Sequence, residues 1–343
     1  MHQSLYRAYR PQKFSEIAGQ EHITETLSGE IRAKKISHAY LFSGSRGLGK
    51  TTIARIFARD IGCSDNDLYE IDAASHTQVD HMRELIEGVY TLPFESPYKV
   101  YILDEAHMLS KGAWNALLKT LEEPPAHVVF ILATTEKNKV PDTVLSRCQV
   151  FEFKKPTRAG LSKLISSVAK SEGYTLEQGV VELVALLSEG SYRDALSTLE
   201  KVFSVSKDKT ISRAEAEKAT GAPRRELVAS LVDALSGGDA NRALMTIQKA
   251  QGQDIDMSLY LSLVLEYMRQ VLLVRHAPEL QQGISEELGE EFESVKRIAE
   301  NKDSKINHET LRGFLDASAR IRFSPIPALA LELAVLEVLS QDI

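Results

Sequence analysis

The sequence predicts an α/β fold, with a five-stranded parallel sheet covered by helices on both faces, followed by a helical region. Five short and nearly continuous apolar runs occur in the first 155 residues, separated by stretches with helical periodicity. Such runs are typical of parallel strands that are buried on both faces. After residue 158 the helical periodicity continues with almost no strand signal, and Gly and Pro breaks divide it. We therefore expect three domains, over residues 1–155, 156–221 and 222–343.

The predicted strands are the runs AYLFSG, LYEIDA, KVYILDE, VVFILATT and QVFEF, at residues 39–44, 68–73, 99–105, 128–135 and 149–153. Helical stretches such as GKTTIARIFARDIG and GAWNALLKTLEEP lie between them. The last helix is predicted from PALALELAVLEVLSQ, because a proline is well tolerated in the first turn of a helix. Its apolar positions cover more than one stripe: Leu329, Leu333 and Leu336, and also Leu331, Val335 and Val338. This surface suits either a subunit interface or packing within its own domain.

The charge distribution argues against a protein that coats DNA through a general basic field. Residues 1–160 carry 20 Lys and Arg and 20 Asp and Glu, so the net charge of −7 falls entirely after residue 160. Binding to nucleic acid would therefore rely on local positions, and no nucleic-acid binding at all remains the alternative. The chain has no run of about 18 apolar residues, which is the length that would indicate a membrane span. The polar and basic start does not resemble a secretory signal, and the two distant cysteines, Cys63 and Cys148, favour a reducing compartment. We expect a cytoplasmic protein with no membrane partner.

The stretch GSRGLGKT, at residues 44–51, matches the phosphate-binding P-loop pattern. It follows a predicted strand and precedes a predicted helix, where backbone N–H groups and the helix N-terminus bind phosphate. Lys50 is expected to reach the β- and γ-phosphates, and Thr51 to ligate Mg²⁺. The expected nucleotide-binding residues of this segment are Gly44, Ser45, Arg46, Gly47, Leu48, Gly49, Lys50, Thr51 and Thr52.

Two acidic residues, Asp104 and Glu105, end the later strand in VYILDEAH. We expect Asp104 to join Thr51 in the Mg²⁺ shell, and Glu105 to orient and deprotonate an attacking water. The strand FILATT is expected to place Thr135, or its neighbour Thr134, where a hydroxyl detects the γ-phosphate or positions the water; capping of the next segment is the alternative. His107 is expected to be structural. No N-K-x-D motif is present, since Pro141 follows Asn138, Lys139 and Val140, so ATP is preferred over GTP.

The order of the motifs resembles that of bacterial clamp-loader motor subunits, the gamma/tau subunits of DNA polymerase III, which are AAA+ ATPases. The matching segments are LYRAYRPQKFSEIAGQEHI, HAYLFSGSRGLGKTTIAR, EIDAAS, LDEAHMLSKGAWNALLKTLEEPP, FILATTEKNKVPDTVLSRC and EGSYRDALS. They cover the first 200 residues densely, and the helical remainder matches loosely. The resemblance implies an AAA+ P-loop domain, then a helical lid, then a helical collar through which subunits assemble.

The resemblance also assigns residues that spacing alone does not. It implies that Arg147, in the Ser-Arg-Cys motif, is an arginine finger reaching the ATP of a neighbouring subunit; a pair with a nearby acid is the alternative. Arg193 corresponds to the sensor 2 arginine of the lid, unless it pairs with Asp194 or another neighbour. The segment YRAYRP resembles the family's segment around the adenine, which implies a pocket lined by Tyr9, Arg10 and Pro11, with Ile17 packing on the base; a solvated charge is the alternative for Arg10.

One departure from the family concerns zinc. Members of the resembled family usually carry a four-cysteine module between the helix after the P-loop and the EIDAAS strand, whereas IGCSDNDLYEIDAAS runs straight across here. Cys63 stands where a first ligand would be, but a single thiolate does not make a tetrahedral site, so no zinc is expected.

The resemblance implies an ATP- and Mg²⁺-dependent, DNA-stimulated ATPase within a pentameric ring. Its expected partners are further copies of the chain, delta- and delta-prime-type subunits, a sliding clamp and primer–template DNA. The stretch SHTQVD, at residues 75–80, is a candidate contact with the DNA backbone. Two alternatives remain. A branch-migration motor would add a winged-helix domain, which the pattern does not indicate, and a non-hydrolysing scaffold subunit would not need an intact P-loop.

Overall fold

The first part of the chain contains a sheet of the five predicted strands, all parallel. The structure is a computed structural model, and it describes residues 3–75, 85–177, 179–206, 208–288 and 292–339. The strands are β1 Ala39–Ser43, β2 Leu68–Asp72, β3 Lys99–Asp104, β4 Val128–Thr134 and β5 Gln149–Glu152. Their spatial order is β2-β3-β4-β1-β5. Strand β4 is buried at every position, which explains its continuous apolar run. The predicted five-stranded parallel sheet is confirmed.

Helices cover both faces of this sheet because the side chains of each strand alternate between the faces. The helices here are α1 Leu5–Ala8, α2 Glu21–Ala33, α3 Lys50–Asp60, α4 Lys111–Glu122 and α5 Asp142–Leu145. On one face, Tyr40 and Phe42 of β1 share a core with α2 and α3. On the other, Leu41 of the same strand shares a core with Trp114 and Leu117 of α4. Each large apolar side chain buried in this way contributes about 1.5–3 kcal/mol.

The remainder of the described chain is largely helical, as predicted. Its helices are α6 Arg158–Ser171, α7 Val180–Leu187, α8 Tyr192–Phe203, α9 Arg213–Thr220, α10 Arg225–Ser236, α11 Ala240–Gln251, α12 Met257–His276, α13 Gln281–Leu288, α14 Phe292–Glu300, α15 His308–Ile321 and α16 Pro327–Leu339. A parallel pair of two-residue strands, β6 Thr175–Leu176 and β7 Thr210–Ile211, also occurs here. Strands this short leave no alternating pattern to detect.

The chain divides into two compact units. One consists of residues 1–168 and 184–198, and the other of residues 169–183 and 199–343. The N-terminal part of α8, with Arg193, therefore belongs to the unit that contains the sheet, whereas it was expected in the second of three domains. The physical reason lies at Gly47, whose carbonyl accepts a hydrogen bond from the backbone N–H of Tyr192 (3.2 Å). The three-domain division itself remains a prediction.

The helical unit has its own core, and α12 runs through it. Tyr260, Val264, Met268 and Val271 of this helix are buried there. By length and composition, α12 is also the one helix among the described residues that could cross a membrane, although half of the apolar window is buried inside the protein. The core helix of a globular unit passes the same test, so this is weak evidence for a span.

Helix α16 places its two apolar stripes in different surroundings. Leu331 and Val335 are fully buried in the core of the helical unit. The second stripe is exposed: Leu329, Leu333 and Leu336 have exposed fractions of 37%, 42% and 42%. In the same unit, Leu315, Phe323 and Ile326 are exposed as well. We call Leu329, Leu333 and Leu336 the leucine stripe.

Candidate nucleotide-binding site

The P-loop lies between the carboxyl end of β1 and the start of α3. Gly44 receives a backbone contact from β4, since its N–H donates to the Thr134 carbonyl (3.2 Å). Gly47 and Gly49 have positive φ angles of 76° and 93°, which glycine adopts without strain. The loop therefore curls at the N-terminus of α3, where unpaired N–H groups favour an anion.

Lys50 is the first residue of α3, and its side chain is folded into the loop. Its Nζ donates to the carbonyl oxygens of Gly44 (2.7 Å) and Ser45 (2.9 Å). Burial of this ammonium lowers its pKa, while the carboxylates of Glu105 and Asp104 act in the opposite direction. A phosphate beside Lys50 would restore a full counter-charge, so the side chain suits the role predicted for it.

Thr51 and Asp104 meet although they are far apart in the sequence. The Thr51 hydroxyl donates to Asp104 Oδ2 across 2.8 Å. Parallel strands end at one edge of the sheet, so β3 brings Asp104 to the P-loop that follows β1. A hydroxyl and a carboxylate oxygen side by side are the donor types that Mg²⁺ prefers, and this pair fits the predicted magnesium role.

Glu105 has a left-handed backbone conformation, with φ 48° and ψ 44°. Such a conformation is uncommon for a residue with a side chain and is concentrated at functional sites. The Thr135 hydroxyl donates to Glu105 Oε2 (3.1 Å), so the two strand ends are joined through the side chain predicted to orient water. Thr135 therefore reaches the site through Glu105.

His107 and Thr134 form a second connection between the same strand ends. The His107 Nδ1 lies 3.1 Å from the Thr134 hydroxyl and 3.4 Å from Glu105 Oε2. The Thr134 hydroxyl also accepts from the Glu136 N–H (3.0 Å). Thr134 is fully buried and supports the segment that follows β4, whereas Thr135, the residue predicted first, contacts Glu105.

A cavity of about 750 Å³ opens beside the P-loop. Six basic and four acidic side chains line it, and this balance favours a polyanionic ligand. The predicted residues in its lining are Tyr9, Arg10, Pro11, Ile17, Arg46, Gly47, Leu48, Gly49, Lys50, Thr51, Thr52, Asp104, Glu105 and Arg193. Gly44, Ser45, Thr135 and Arg147 lie outside this lining.

The N-terminal segment is tied to α3 at the cavity wall. Arg10 Nε donates to the Thr52 hydroxyl across 3.0 Å. Burial and the nearby Arg55 lower the pKa of Arg10, but an arginine keeps its charge at neutral pH. The arrangement places Tyr9, Arg10 and Pro11 together at the predicted adenine end.

Several residues that line the cavity were not predicted from the sequence, including Tyr6, Arg55, Glu70 and Tyr192. Arg55 and Glu70 form an ion pair, with Arg55 Nε 2.6 Å from Glu70 Oε2. The Arg193 guanidinium lies over the Tyr6 ring, with 4.8 Å between Cζ and the ring centroid. The pattern gave no signal for these contacts, because each joins segments that are remote in the sequence.

Arg147 lies at the surface in an ion pair within its own chain. Its Nη2 donates to Glu122 Oε1 (2.6 Å) and its Nη1 to the Thr143 carbonyl (2.6 Å). This is the alternative expected from the sequence, a pairing with a nearby acid. The role across a subunit boundary remains a prediction. The ion pair with Glu122 does not oppose that role, because an exposed ion pair is weak and exchangeable.

The remaining predictions concern zinc and DNA. Within the described ranges, no three His, Cys, Asp or Glu side chains group as metal ligands. Burial raises the pKa of Cys63 to about 11, which suits a structural thiol; the absence of zinc remains a prediction. Of the candidate DNA contact at residues 75–80, positions 76–80 fall outside the residues that the structure describes.

Comparison with known proteins agrees with the order of the motifs. Residues 19–74 and 64–157 match the family model "DNA polymerase III, delta subunit". Residues 211–342 match "DNA polymerase III subunits gamma and tau domain III".

Individual relatives extend over the whole chain. It is 37% identical to the DNA polymerase III subunit tau of Bacillus subtilis, over 98% of this chain and 63% of that protein. It is 32% identical to the DNA polymerase III subunit gamma of Buchnera aphidicola from Schizaphis graminum, over 99% of both chains. The chain thus spans less than two thirds of the Bacillus subtilis relative.

Among solved structures, the RuvB Holliday junction branch migration motor of Thermotoga maritima is similar, with a TM-score of 0.53 and 22% identity. The match covers 66% of this chain and 79% of that one. At this identity the likeness shows the AAA+ fold alone and does not favour the branch-migration alternative.

Proposed function

Because the chain belongs to the gamma/tau subunits of DNA polymerase III, we propose that it is an ATP-driven motor subunit of a clamp loader. The observation that carries the proposal is the 2.8 Å hydrogen bond between Thr51 and Asp104. It joins the P-loop to the acidic end of β3 in the wall of a cavity with an excess of basic side chains. A scaffold subunit that does not hydrolyse ATP would not need Thr51 and Asp104 side by side.

In this proposal the residues divide the work of phosphoryl transfer to water. Lys50 and the loop N–H groups bind the β- and γ-phosphates, and Tyr9, Arg10, Pro11 and Ile17 enclose the adenine. Magnesium held by Thr51 and Asp104 would neutralise charge on the phosphate oxygens. Glu105 orients the attacking water and accepts its proton, while Thr135 fixes the Glu105 carboxylate.

Two arginines complete the proposed site. Arg193 approaches the γ-phosphate from the start of α8, so that phosphate release changes the position of this helix. Arg147 approaches the γ-phosphate of a neighbouring subunit, after its pair with Glu122 opens. An arginine supplied in this way is worth about 10³–10⁵ in rate in other nucleotide switches.

We propose that assembly uses the leucine stripe of α16. A stripe of exposed leucines on an otherwise packed helix is expected at a protein–protein interface. The partners would be further copies of this chain and delta- and delta-prime-type subunits, forming a pentameric ring in the cytoplasm. In its ATP-bound form the ring would hold a sliding clamp open around primer–template DNA, and DNA contact would trigger hydrolysis.

The experiment is the steady-state ATPase rate of the chain alone, with its partner subunits, and with clamp and primed DNA added separately and together. The proposal expects strong stimulation that requires both clamp and a primer–template junction. Lys50→Ala is the control and should abolish the activity. An ATPase rate that does not change on addition of the clamp and the primer–template junction would support an ATPase but contradict the clamp-loading role.

A further inference from the structure

Tyr6 and Arg193 form a contact that closes one side of the cavity. The Arg193 Cζ lies 4.8 Å from the centroid of the Tyr6 ring, a distance at which the ring attracts the cation. Both residues line the cavity together with Gly47 and Lys50. The Arg193 side chain is therefore directed along the wall of the phosphate-binding region.

The Tyr6 side of this contact is anchored to the nucleotide site. Its short helix α1 is held by Leu5, which is only 4% exposed. The segment that follows is tied to α3, since Arg10 Nε donates to the Thr52 hydroxyl (3.0 Å). The Tyr6 hydroxyl also accepts from Arg7 Nε (3.2 Å). The aromatic ring consequently has a defined place relative to the P-loop.

The Arg193 side is anchored to the P-loop itself. The Tyr192 N–H donates to the Gly47 carbonyl (3.2 Å), and the Tyr192 hydroxyl donates to the Ala18 carbonyl (2.8 Å). A Cβ atom on Gly47 would lie 3.4 Å from Arg193 Cβ, so the base of the arginine is in contact with the loop. The backbone of Arg193 is thus fixed, but its long and exposed side chain retains rotamer freedom that only a further contact removes.

We propose that Tyr6 is a positioning residue for Arg193, whose ring restricts the guanidinium to the orientation that binds the terminal phosphate of ATP. The inference rests on the proposed function, because it requires ATP in this cavity. The physical basis is pre-organisation: the ring removes rotamers of Arg193 before the nucleotide arrives, so less entropy is lost on binding. The effect of Tyr6 should therefore exist only when both Arg193 and a γ-phosphate are present.

The test is a double-mutant cycle on the full chain, read as the Kd of ATPγS and of ADP by titration calorimetry. Tyr6→Leu removes the ring, and we expect it to weaken ATPγS binding about 2- to 10-fold, the range for ordering one long side chain on binding. The same change should leave ADP binding unaltered. In an Arg193→Ala background, Tyr6→Leu should have no further effect on ATPγS. Tyr6→Phe keeps the ring and should stay within twofold of the unaltered chain.

Several outcomes would overturn the inference. Equal weakening of ADP and ATPγS would mean that Tyr6 acts on the pocket in general. Full additivity of Tyr6→Leu with Arg193→Ala would mean that the two residues act separately. Should Tyr6→Leu lower the folded fraction seen by circular dichroism, Tyr6→Met replaces it in the same cycle. Failure of the unaltered chain to bind ATPγS would overturn the proposed function as well, whereas binding without coupling would overturn this inference alone.

Discussion

Arg147 and Glu122 are joined by a 2.6 Å contact between Nη2 and Oε1, so the predicted arginine finger is bound by a carboxylate of its own chain. Glu122 is the last residue of α4, and Arg147 follows α5. The Glu122 side chain is half exposed, and exposed ion pairs contribute only about 0.2–1 kcal/mol. The ion pair can therefore hold the Arg147 side chain in one place without preventing it from reaching the ATP of a neighbouring subunit, as predicted.

Glu122→Gln tests whether this pair competes with the role in trans. We expect the ATPase rate of the assembled complex to rise about 2- to 5-fold at most, because Arg147 no longer has to leave a charged partner. The folding stability of the chain should change by less than about 1 kcal/mol. A loss of activity as large as that of Arg147→Ala would show instead that Glu122 orients the finger.

Mixing two inactive variants tests whether Arg147 works across a boundary. Lys50→Ala removes the phosphate-binding ammonium and Arg147→Ala removes the finger, so each chain retains what the other lacks. Co-assembled mixtures should regain part of the ATPase rate that either variant alone has lost. No recovery in complexes confirmed to contain both chains would refute the trans role.

Thr135→Val removes the hydroxyl that donates to Glu105 Oε2 while keeping the shape of the side chain. We expect kcat to fall roughly tenfold with little change in KM, because a hydrogen bond to a charged group is worth about 1.5–3 kcal/mol. Thr135→Ser retains the donor and should retain most of the activity. A change in KM alone would argue that Thr135 contacts the bound nucleotide and does not act through Glu105.

Gly47→Ala and Gly29→Ala form a matched pair. At Gly47, φ is +76° and a Cβ would lie 1.9 Å from Ser191 Oγ, so either the loop or the start of α8 must move. We expect ATPγS to bind about 5- to 150-fold more weakly, since left-handed strain alone costs about 1–3 kcal/mol. Gly29 lies within α2 with no atom near its Cβ, so alanine there should stabilise the fold by about 0.5–1 kcal/mol. Unchanged ATPγS affinity in Gly47→Ala would contradict the close packing of α8 on the loop.

The two thiols predict a pH dependence. Burial raises the pKa of Cys63 to about 11 and of Cys148 to about 12. Both are raised, so the folded chain keeps thiol protons that the unfolded chain loses above about pH 8.5, and this stability is lost as pH rises from there towards 11 and 12. Replacing both cysteines by alanine should flatten the fall of melting temperature between pH 9 and pH 10.5, a window set by these shifts. An unchanged slope in the double variant would show that other groups, such as the buried tyrosines, carry the effect.

The residues that sequence alone could place are those whose partners lie in the same motif. The glycines of the P-loop, Lys50 and Thr51 follow from a local pattern, and Asp104 and Glu105 from the end of a buried strand. The spatial order of the strands, which the local pattern does not give, brings Asp104 against Thr51. Contacts such as Tyr6 with Arg193 depend on how remote segments pack, and no periodicity or spacing encodes them.

The same limit explains Arg147. The resemblance to clamp loaders gave it a role in another subunit, while the fold of a single chain gives it a carboxylate partner. Both statements are compatible, since one concerns an assembly and the other a chain. The β6–β7 pair was missed for a different reason, because two residues are too few to show alternation.

The exposure of the leucine stripe affects the solubility of chains that have not assembled. A chain made in excess of its proposed partners would carry Leu329, Leu333 and Leu336 into water, and such surfaces attract chaperones, proteases and other copies of themselves. Balanced synthesis of the subunits would then be a condition for solubility as well as for stoichiometry. Unassembled copies would be removed, and the abundance of the chain would follow that of the scarcest subunit in the proposed ring.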